Sequence, residues 1–319
     1  MDRLVITDVA PRDGLQTRSP VVATSRKLAF IEALVASGLR SLEVTSFVSP
    51  RAVPQMADAE AVLAGCARHD AVRFSALAPN RRGLARAMAA GAREIAVVLS
   101  ATTEMNEANL GLTLDQAAEE SAQVIAAART GGLRTRAYVA VAFECPFSGL
   151  VDPSRVVRLS ERFVELGADE IVIADTIGAA APGEVAGLLH ALSGSVPVQR
   201  LGMHFHDTRG LGIANAYAAL EAGVRRFDTS AGGLGGCPFA PGAAGNLATE
   251  DLVAMAARSG FTTGVDLPAL LDAILYAEDM LGEPLGGRCM PWLKRQVDGA
   301  ASCAASRATR ARMRPEARP

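Results

Sequence analysis

Aromatic side chains are scarce in this sequence, and long apolar runs are absent from it. Phe, Trp and Tyr make up only 4% of the 319 residues, whereas hydrophobic residues make up 50%. The core must therefore consist mainly of Ala, Val, Leu and Ile, as in parallel-sheet α/β proteins. Because no apolar stretch reaches the length of a membrane span and no signal-peptide pattern is present, we expect no membrane partner.

Neither sign of charge is in excess, and the cysteines form no pattern. The 32 basic and 34 acidic residues give a net charge of −2, which argues against a nucleic-acid partner. The five cysteines are scattered without C-x-x-C spacing. This usage favours free thiols over disulfides and predicts a cytoplasmic protein.

A short β-branched run, a turn and an Ala- and Leu-rich helical stretch recur along the chain. The predicted strands are 4–8, 41–45, 72–77, 94–99, 136–142, 170–174, 202–206 and 226–229. The predicted helices are 25–37, 55–68, 81–90, 114–130, 153–166, 182–192, 210–222 and 249–258. Eight such pairs predict a (β/α)₈ TIM barrel, with a doubly wound open sheet as the alternative. Neither a G-x-G-x-x-G after the first strand nor a P-loop supports that alternative.

The chain continues beyond the eighth pair. One more helix is predicted at 266–281, so we assign residues 1–282 to the barrel and 283–319 to a C-terminal extension. From about Val297 the sequence turns to Ala, Ser, Arg and Pro. Such a segment has few apolar residues to bury, and we expect it to be partly disordered.

The segment 201–207 reads L-G-M-H-F-H-D and contains two of only four histidines. Because side chains alternate along a strand, His204 and His206 must point to the same face. Two imidazoles on a rigid strand end are what a divalent metal requires. The alternative is a pair of hydrogen-bonded core histidines.

Polar residues also follow most of the other predicted strands, where the active site of a barrel lies. In chain order they are Arg12, Asp13, Gln16, Glu43, Thr45, Glu144, Cys145, Asp175, Thr176, Cys237 and Asn246. Asp13, Asn246 and the two histidines form an oxygen and nitrogen donor set. That set suits Mg²⁺ or Mn²⁺, with positions left for water and substrate, better than it suits zinc.

Four segments resemble the hydroxymethylglutaryl-CoA lyase family, a branch of a superfamily of metal-dependent TIM-barrel lyases and acyl-condensing enzymes. They are T-D-V-A-P-R-D-G-L-Q, L-E-V-T-S-F-V-S-P-R-A-V-P-Q-M-A-D, M-H-F-H-D-T-R-G-L-G-I-A-N and G-G-L-G-G-C-P-F-A-P-G-A-A-G-N-L-A-T-E-D. The resemblance covers residues 4–282. It departs from the family at Glu144, where glycine is usual, and in the Arg-rich tail.

The resemblance implies a role for each candidate residue. Asp13, His204, His206 and Asn246 would bind one divalent cation, and Arg12 would stabilise an enolate. Cys237 would lie on a mobile catalytic loop, and Glu43 and Asp175 would be active-site carboxylates. Gln16, Thr45 and Thr176 would hold an acyl-CoA substrate, and the family tends toward homodimers.

The reaction implied is cleavage of 3-hydroxy-3-methylglutaryl-CoA to acetyl-CoA and acetoacetate. Three alternatives stay open at this point. One is a lyase for another 3-hydroxyacyl-CoA such as citramalyl-CoA, and one is a condensing enzyme resembling isopropylmalate synthase. The third is a metal-binding barrel without activity. The loop G-L-G-G-C-P, in place of the G-x-G-E-R-A usual in the condensing enzymes, favours the lyase.

Overall fold

Eight parallel strands close into a barrel in the computed structural model, which describes residues 2–236 and 245–296. The described residues form ten strands, of which all but β6 and β7 belong to the barrel. They are β1 Val5–Asp8, β2 Ser41–Ser46, β3 Arg73–Leu77, β4 Glu94–Ser100, β5 Arg134–Ala140, β6 Glu144–Cys145, β7 Gly149–Leu150, β8 Glu170–Asp175, β9 Leu201–Phe205 and β10 Arg226–Thr229. The barrel order is β1-β2-β3-β4-β5-β8-β9-β10, and β10 pairs back onto β1. This closure confirms the predicted (β/α)₈ barrel and excludes the open sheet.

Ten helices within the described ranges accompany the barrel. They are α1 Thr24–Ala36, α2 Ala59–Cys66, α3 Arg81–Ala89, α4 Thr103–Leu110, α5 Leu114–Thr130, α6 Pro153–Glu165, α7 Pro182–Leu192, α8 Gly212–Glu221, α9 Thr249–Arg258 and α10 Leu267–Leu281. Helix α4 was not predicted, and it begins where the Thr102 side chain accepts a hydrogen bond from the N–H of Met105. The helix predicted at 55–68 is interrupted, because Pro54–Met56 forms a separate 3₁₀ turn before α2.

The barrel strands are buried on both faces, because one face lines the interior and the other contacts the helices. Every residue of β2 and of β8 is buried. Between strand and helix the core is aliphatic, as the composition requires. Inside the barrel, however, charged side chains stand among the apolar ones, including Glu43 on β2 and Arg136 on β5.

Two short elements at the carboxyl ends of the strands shape the mouth of the barrel. A single π-helical turn, Ala10–Gly14, follows β1 directly. After β5 the chain passes through Val141, which has a φ of +49°, and then forms the antiparallel hairpin of β6 and β7. A positive φ is unfavourable for a β-branched residue and is found where the surroundings impose it.

The segment after α10 remains in contact with the barrel. Gly287 donates its backbone N–H to Glu250, and Arg288 and Cys289 donate theirs to Asp251. The division at residue 282 stays a prediction, and the tail from Val297 lies outside the described residues. Within the described ranges, no helix has both the length and the apolar character that crossing a membrane requires. Cys66, Cys145 and Cys289 are free thiols.

Replacing Gly38 by alanine should destabilise the barrel without touching its mouth. Gly38 has a φ of +97°, and an added Cβ would overlap the carbonyl oxygen of Gly264. We expect the free energy of unfolding to fall by about 2 kcal/mol or more. Thermal or urea unfolding measures this loss. The control is Gly183→Ala in α7, where a Cβ meets nothing within 4 Å, and an unchanged midpoint for both variants would contradict the prediction.

Candidate metal centre and active site

The two imidazoles of the H-x-H motif lie side by side at the end of β9. Their ring centroids are 5.2 Å apart, and His204 and His206 are only 8% and 5% exposed. His206 follows the last residue of the strand and forms an isolated bridge with Asn246. The period-two prediction that both rings share one face is confirmed.

Asp13, in the turn after β1, reaches the same place, because β1 is separated from β9 by β10 alone. One ligand atom from each of Asp13, His204 and His206 lies within 4.8 Å of those of the other two. Asn246 Nδ2 donates to Asp13 Oδ2 at 2.9 Å. The structure therefore brings together four side chains from three distant parts of the chain, and their role as metal ligands stays a prediction.

Two orphaned atoms show that these residues fit a cation. Asn246 Oδ1 and His206 Nδ1 are buried and have no hydrogen-bond partner in the described part of the chain. Leaving such atoms unpaired is costly, and a metal ion satisfies them. The set of a carboxylate, an amide oxygen and two imidazoles contains no thiolate, so it suits a divalent cation such as Mg²⁺ or Mn²⁺.

Arg12 lies between two carboxylates next to this cluster. Its Nη1 donates to Asp13 Oδ1 at 2.6 Å, while Nε and Nη2 donate to Glu43 Oε2 at 2.8 and 2.5 Å. Burial lowers the pKa of Arg12, but the charges of Glu43 and Asp13 outweigh it and raise the pKa above its usual value. The guanidinium is thus held in one orientation and stays charged.

The pKa values of the two carboxylates that hold Arg12 are shifted in opposite directions. Burial raises the pKa of Glu43, even though the charge of Arg12 counteracts part of that effect. Burial acts the same way on Asp13, but Arg12, His204 and His206 together hold its pKa below the usual value. Asp13 is therefore ionised at neutral pH, as a metal ligand must be.

A buried network orients His204 from beneath. Asp228 Oδ2 lies 3.3 Å from His204 Nδ1 and accepts a hydrogen bond from the Tyr138 hydroxyl at 2.6 Å. Arg136 donates to Asp228 Oδ1 at 2.6 Å and to Glu170 at 2.8 Å. Such a carboxylate behind an imidazole fixes the ring and leaves its other nitrogen for the metal.

The two histidines differ in their electrostatic surroundings. Burial lowers the pKa of His204, but the hydrogen bond and charge of Asp228 raise it above the usual value. No such partner supports His206 among the residues that the structure describes, and burial together with the charge of His204 lowers its pKa to about 4. His206 is therefore neutral at pH 7, with one unprotonated ring nitrogen able to bind a cation.

Three other predicted site residues form hydrogen bonds in or near the mouth of the barrel. Gln16 donates to Asp13 Oδ1 at 2.9 Å. Asp175 accepts the backbone N–H groups of Ala179 and Ala180, and burial raises its pKa to about 6. The Thr176 hydroxyl accepts the N–H of Val141 at 2.8 Å.

Thr45 is not joined to this cluster by any described contact. The Thr45 hydroxyl lies against Met56 Sδ at 3.9 Å, because the register of β2 against β3 shifts between Glu43 and Thr45. Period-two alternation from Glu43 therefore does not hold at Thr45. Cys237 lies outside the described residues.

Sequence reasoning missed Asp228, Tyr138, Arg136 and the partner of Glu144. A signal was available for the first three, since each is a polar residue within a predicted barrel strand, like Glu43. The partner of Glu144 is Arg209, whose guanidinium forms two hydrogen bonds with it. Nothing in the spacing of these two residues indicates their contact.

Comparison with known proteins places the chain among carbon–carbon lyases. The HMGL-like family model matches residues 3–275. The hydroxymethylglutaryl-CoA lyase of Pseudomonas mevalonii is 43% identical over 88% of this chain and 94% of its own. The (R)-citramalyl-CoA lyase of Chloroflexus aurantiacus is 42% identical over 89% and 93%. The crystal structure of the Bacillus subtilis HMG-CoA lyase superposes with a TM-score of 0.89 at 41% identity, covering 92% of this chain and 99% of that one.

Asp228→Asn should weaken Mn²⁺ binding by about 10–100-fold, because the neutral amide orients and polarises His204 less well. Isothermal titration calorimetry with Mn²⁺ at pH 7.5 measures the change. Asp266→Asn is the control, since Asp266 caps α10 far from this network and asparagine caps equally well. Tyr138→Phe gives a milder second variant if Asp228→Asn does not fold, and wild-type affinity in either folded variant would exclude this role.

Proposed function

This chain belongs to the HMGL-like family and is a carbon–carbon lyase, and from that premise we propose that it cleaves 3-hydroxy-3-methylglutaryl-CoA to acetyl-CoA and acetoacetate. The observation that carries the proposal is the position of the Arg12 guanidinium beside the donor set of Asp13, His204, His206 and Asn246. A cation and a guanidinium side by side suit a reaction in which a hydroxyl loses a proton and a thioester oxygen gains charge.

We propose Mg²⁺ or Mn²⁺ as the cation held by these four residues. When bound, it would supply Lewis-acid chemistry, lowering the pKa of the substrate's 3-hydroxyl group. The chain's own contribution is to present the neutral imidazole of His206 and the ionised carboxylate of Asp13 at neutral pH. The raised pKa of His204 makes this site sensitive to mild acid, because a protonated imidazole cannot bind metal.

Arg12 would stabilise the enolate that forms when the C2–C3 bond breaks. The electron pair of that bond moves to the thioester carbonyl oxygen, and a guanidinium that cannot lose its proton is suited to that charge. Glu43 and Asp13 hold Arg12 from two sides, so the group needs no reorganisation during the reaction. Glu43 is in this respect a positioning residue.

We propose Asp175 as the group that takes the hydroxyl proton. Its pKa of about 6 means that it is ionised at neutral pH and still basic enough to accept a proton. Both of its oxygens are held by backbone N–H groups, which fixes its direction. We propose Cys237, from the family resemblance, as the group that returns a proton to the enolate carbon.

A lyase acting on citramalyl-CoA is the second candidate. The citramalyl-CoA lyase among the relatives is nearly as similar as the first hydroxymethylglutaryl-CoA lyase. Its substrate has the same 3-hydroxyacyl thioester but carries the carboxylate directly on the carbinol carbon. The homodimer and the cytoplasmic location are also proposals, and the free thiols of the described cysteines support the second.

A thioester panel tests the function directly. Purified protein is assayed with 3-hydroxy-3-methylglutaryl-CoA and citramalyl-CoA, with and without EDTA, and with acetyl-CoA plus 2-oxo acids for thiol release. We expect cleavage of the first thioester, loss with EDTA and recovery with Mg²⁺ or Mn²⁺. Preference for citramalyl-CoA would favour the second candidate, and thiol release in the last assay would favour a condensing enzyme.

Arg12→Gln should lower kcat by about 10²–10³, because one fixed donor to the developing oxyanion is lost. Mn²⁺ binding should persist, since Arg12 donates to a ligand and is not one. Steady-state kinetics and calorimetry on the same preparation separate the two effects. Arg158→Gln, on the exposed face of α6, is the control. A kcat near that of the wild type would remove Arg12 from the mechanism.

A further inference from the structure

An ion pair crosses the mouth of the barrel beside the proposed active site. Arg209 lies in the loop after β9, and Glu144 begins the hairpin that follows β5. Arg209 Nη2 donates to Glu144 Oε1 at 3.1 Å, and Nη1 donates to Oε2 at 3.2 Å. Two parallel contacts of this kind are the geometry with which a guanidinium binds any carboxylate.

Arg209 also lies close to Asp175. Its Nη1 donates to the carbonyl oxygen of Ala179 at 3.2 Å, and the N–H of the same residue binds Asp175 Oδ1 at 2.8 Å. Burial raises the pKa of Asp175, and the positive charge of Arg209 partly counteracts that effect. The guanidinium is therefore one residue away from the carboxylate proposed as base.

The guanidinium of Arg209 is free to bind another carboxylate, whereas those of Arg12 and Arg136 are not. Those two guanidiniums are buried, and each is held by two carboxylates. The Arg209 side chain is 49% exposed and that of Glu144 is 29% exposed. A partly exposed ion pair stabilises a protein little, so Arg209 can exchange one carboxylate for another at small cost.

We propose that Arg209 binds the terminal carboxylate of the acyl substrate in exchange for Glu144, and that the pair selects substrates carrying this group. The inference rests on the proposed function, because that substrate has a free carboxylate at the end remote from the thioester. In the proposed function the substrate's hydroxyl lies at the donor set and its thioester oxygen at Arg12. The terminal carboxylate therefore needs a different cationic group to bind it. A substrate without the carboxylate leaves the Arg209–Glu144 pair closed.

The competing explanation is a structural one, in which the pair only fastens the hairpin to the loop after β9. The two explanations predict different effects on substrate binding when one partner of the pair is removed. If the pair is structural, removing either partner has the same consequence. If Glu144 competes with substrate for Arg209, removing Glu144 strengthens substrate binding and removing Arg209 weakens it.

Glu144→Gln should lower the KM for 3-hydroxy-3-methylglutaryl-CoA by about threefold, and Arg209→Gln should raise it by about tenfold or more. Because the contact is equally present in the ground and transition states, the change in KM should exceed any change in kcat. The matched controls are Glu60→Gln and Arg86→Gln. Arg86 of α3 donates two hydrogen bonds to Glu60 of α2, at 2.9 and 3.1 Å. Like Arg209, it also donates to a backbone carbonyl oxygen, here that of Val48. Both controls should leave KM unchanged.

A binding measurement makes the inference independent of turnover. Calorimetry with Mn²⁺ present compares 3-hydroxyglutarate, which has the second carboxylate, with 3-hydroxybutyrate, which lacks it. Arg209→Gln should weaken only the first, and Glu144→Gln should strengthen only the first. Shifts of both variants in the same direction, or none, would overturn the inference.

The remaining outcomes are also decisive. If Arg209→Gln weakens binding of coenzyme A alone by the same factor, Arg209 contacts a phosphate of the cofactor moiety, and the proposal is wrong. A wild-type protein that cleaves no thioester refutes the proposed function. The 3-hydroxyglutarate measurement still decides whether Arg209 binds a terminal carboxylate.

Discussion

The compensation of charge inside a closed barrel is the constraint on which the rest of this structure depends. Arg12 and Arg136 are both buried, and an unpaired guanidinium there would cost several kcal/mol. Arg12 is held by Asp13 of its own turn and by Glu43 of β2, and Arg136 is held by Glu170 of β8 and Asp228 of β10. These contacts tie together the turn after β1 and strands β2, β5, β8 and β10. The same contacts place Asp13 and orient His204, so stability and the geometry of the site have one physical origin.

A second set of contacts holds the loops at the carboxyl ends of the barrel strands. Glu250 accepts the N–H groups of Gly232 and Gly287, at 3.0 and 2.6 Å, and burial raises its pKa to about 7. Arg288 then reaches Asp207 at 2.8 Å, just beyond the H-x-H motif. The turn after β10, the C-terminal segment and the loop after β9 are thereby held in one arrangement around the donor set.

Much of the site could be predicted from the sequence, because it depends on the periodicity of single strands and on the residues at their ends. His204 and His206 share a face by the period of a strand, and polar residues at strand ends meet once the strands are parallel. Where reasoning failed, the cause was not local. Thr45 contacts Met56 next to a register shift against β3 that no pattern in β2 reveals. Asp228 was missed because its importance comes from Arg136, 92 residues away in the chain.

The order of strands and helices, the aliphatic core and the residue types of the donor set follow from the sequence by itself, because periodicity and composition are properties of neighbouring residues. Only the tertiary structure decided which charges meet. Closure of the barrel makes β10 a neighbour of β1 and brings Asn246 to Asp13 across 233 residues. The pairing of β8 with both β5 and β9 sets Arg209 against Glu144. Such pairings depend on distances between side chains from remote segments, and those distances exist only after the chain has folded.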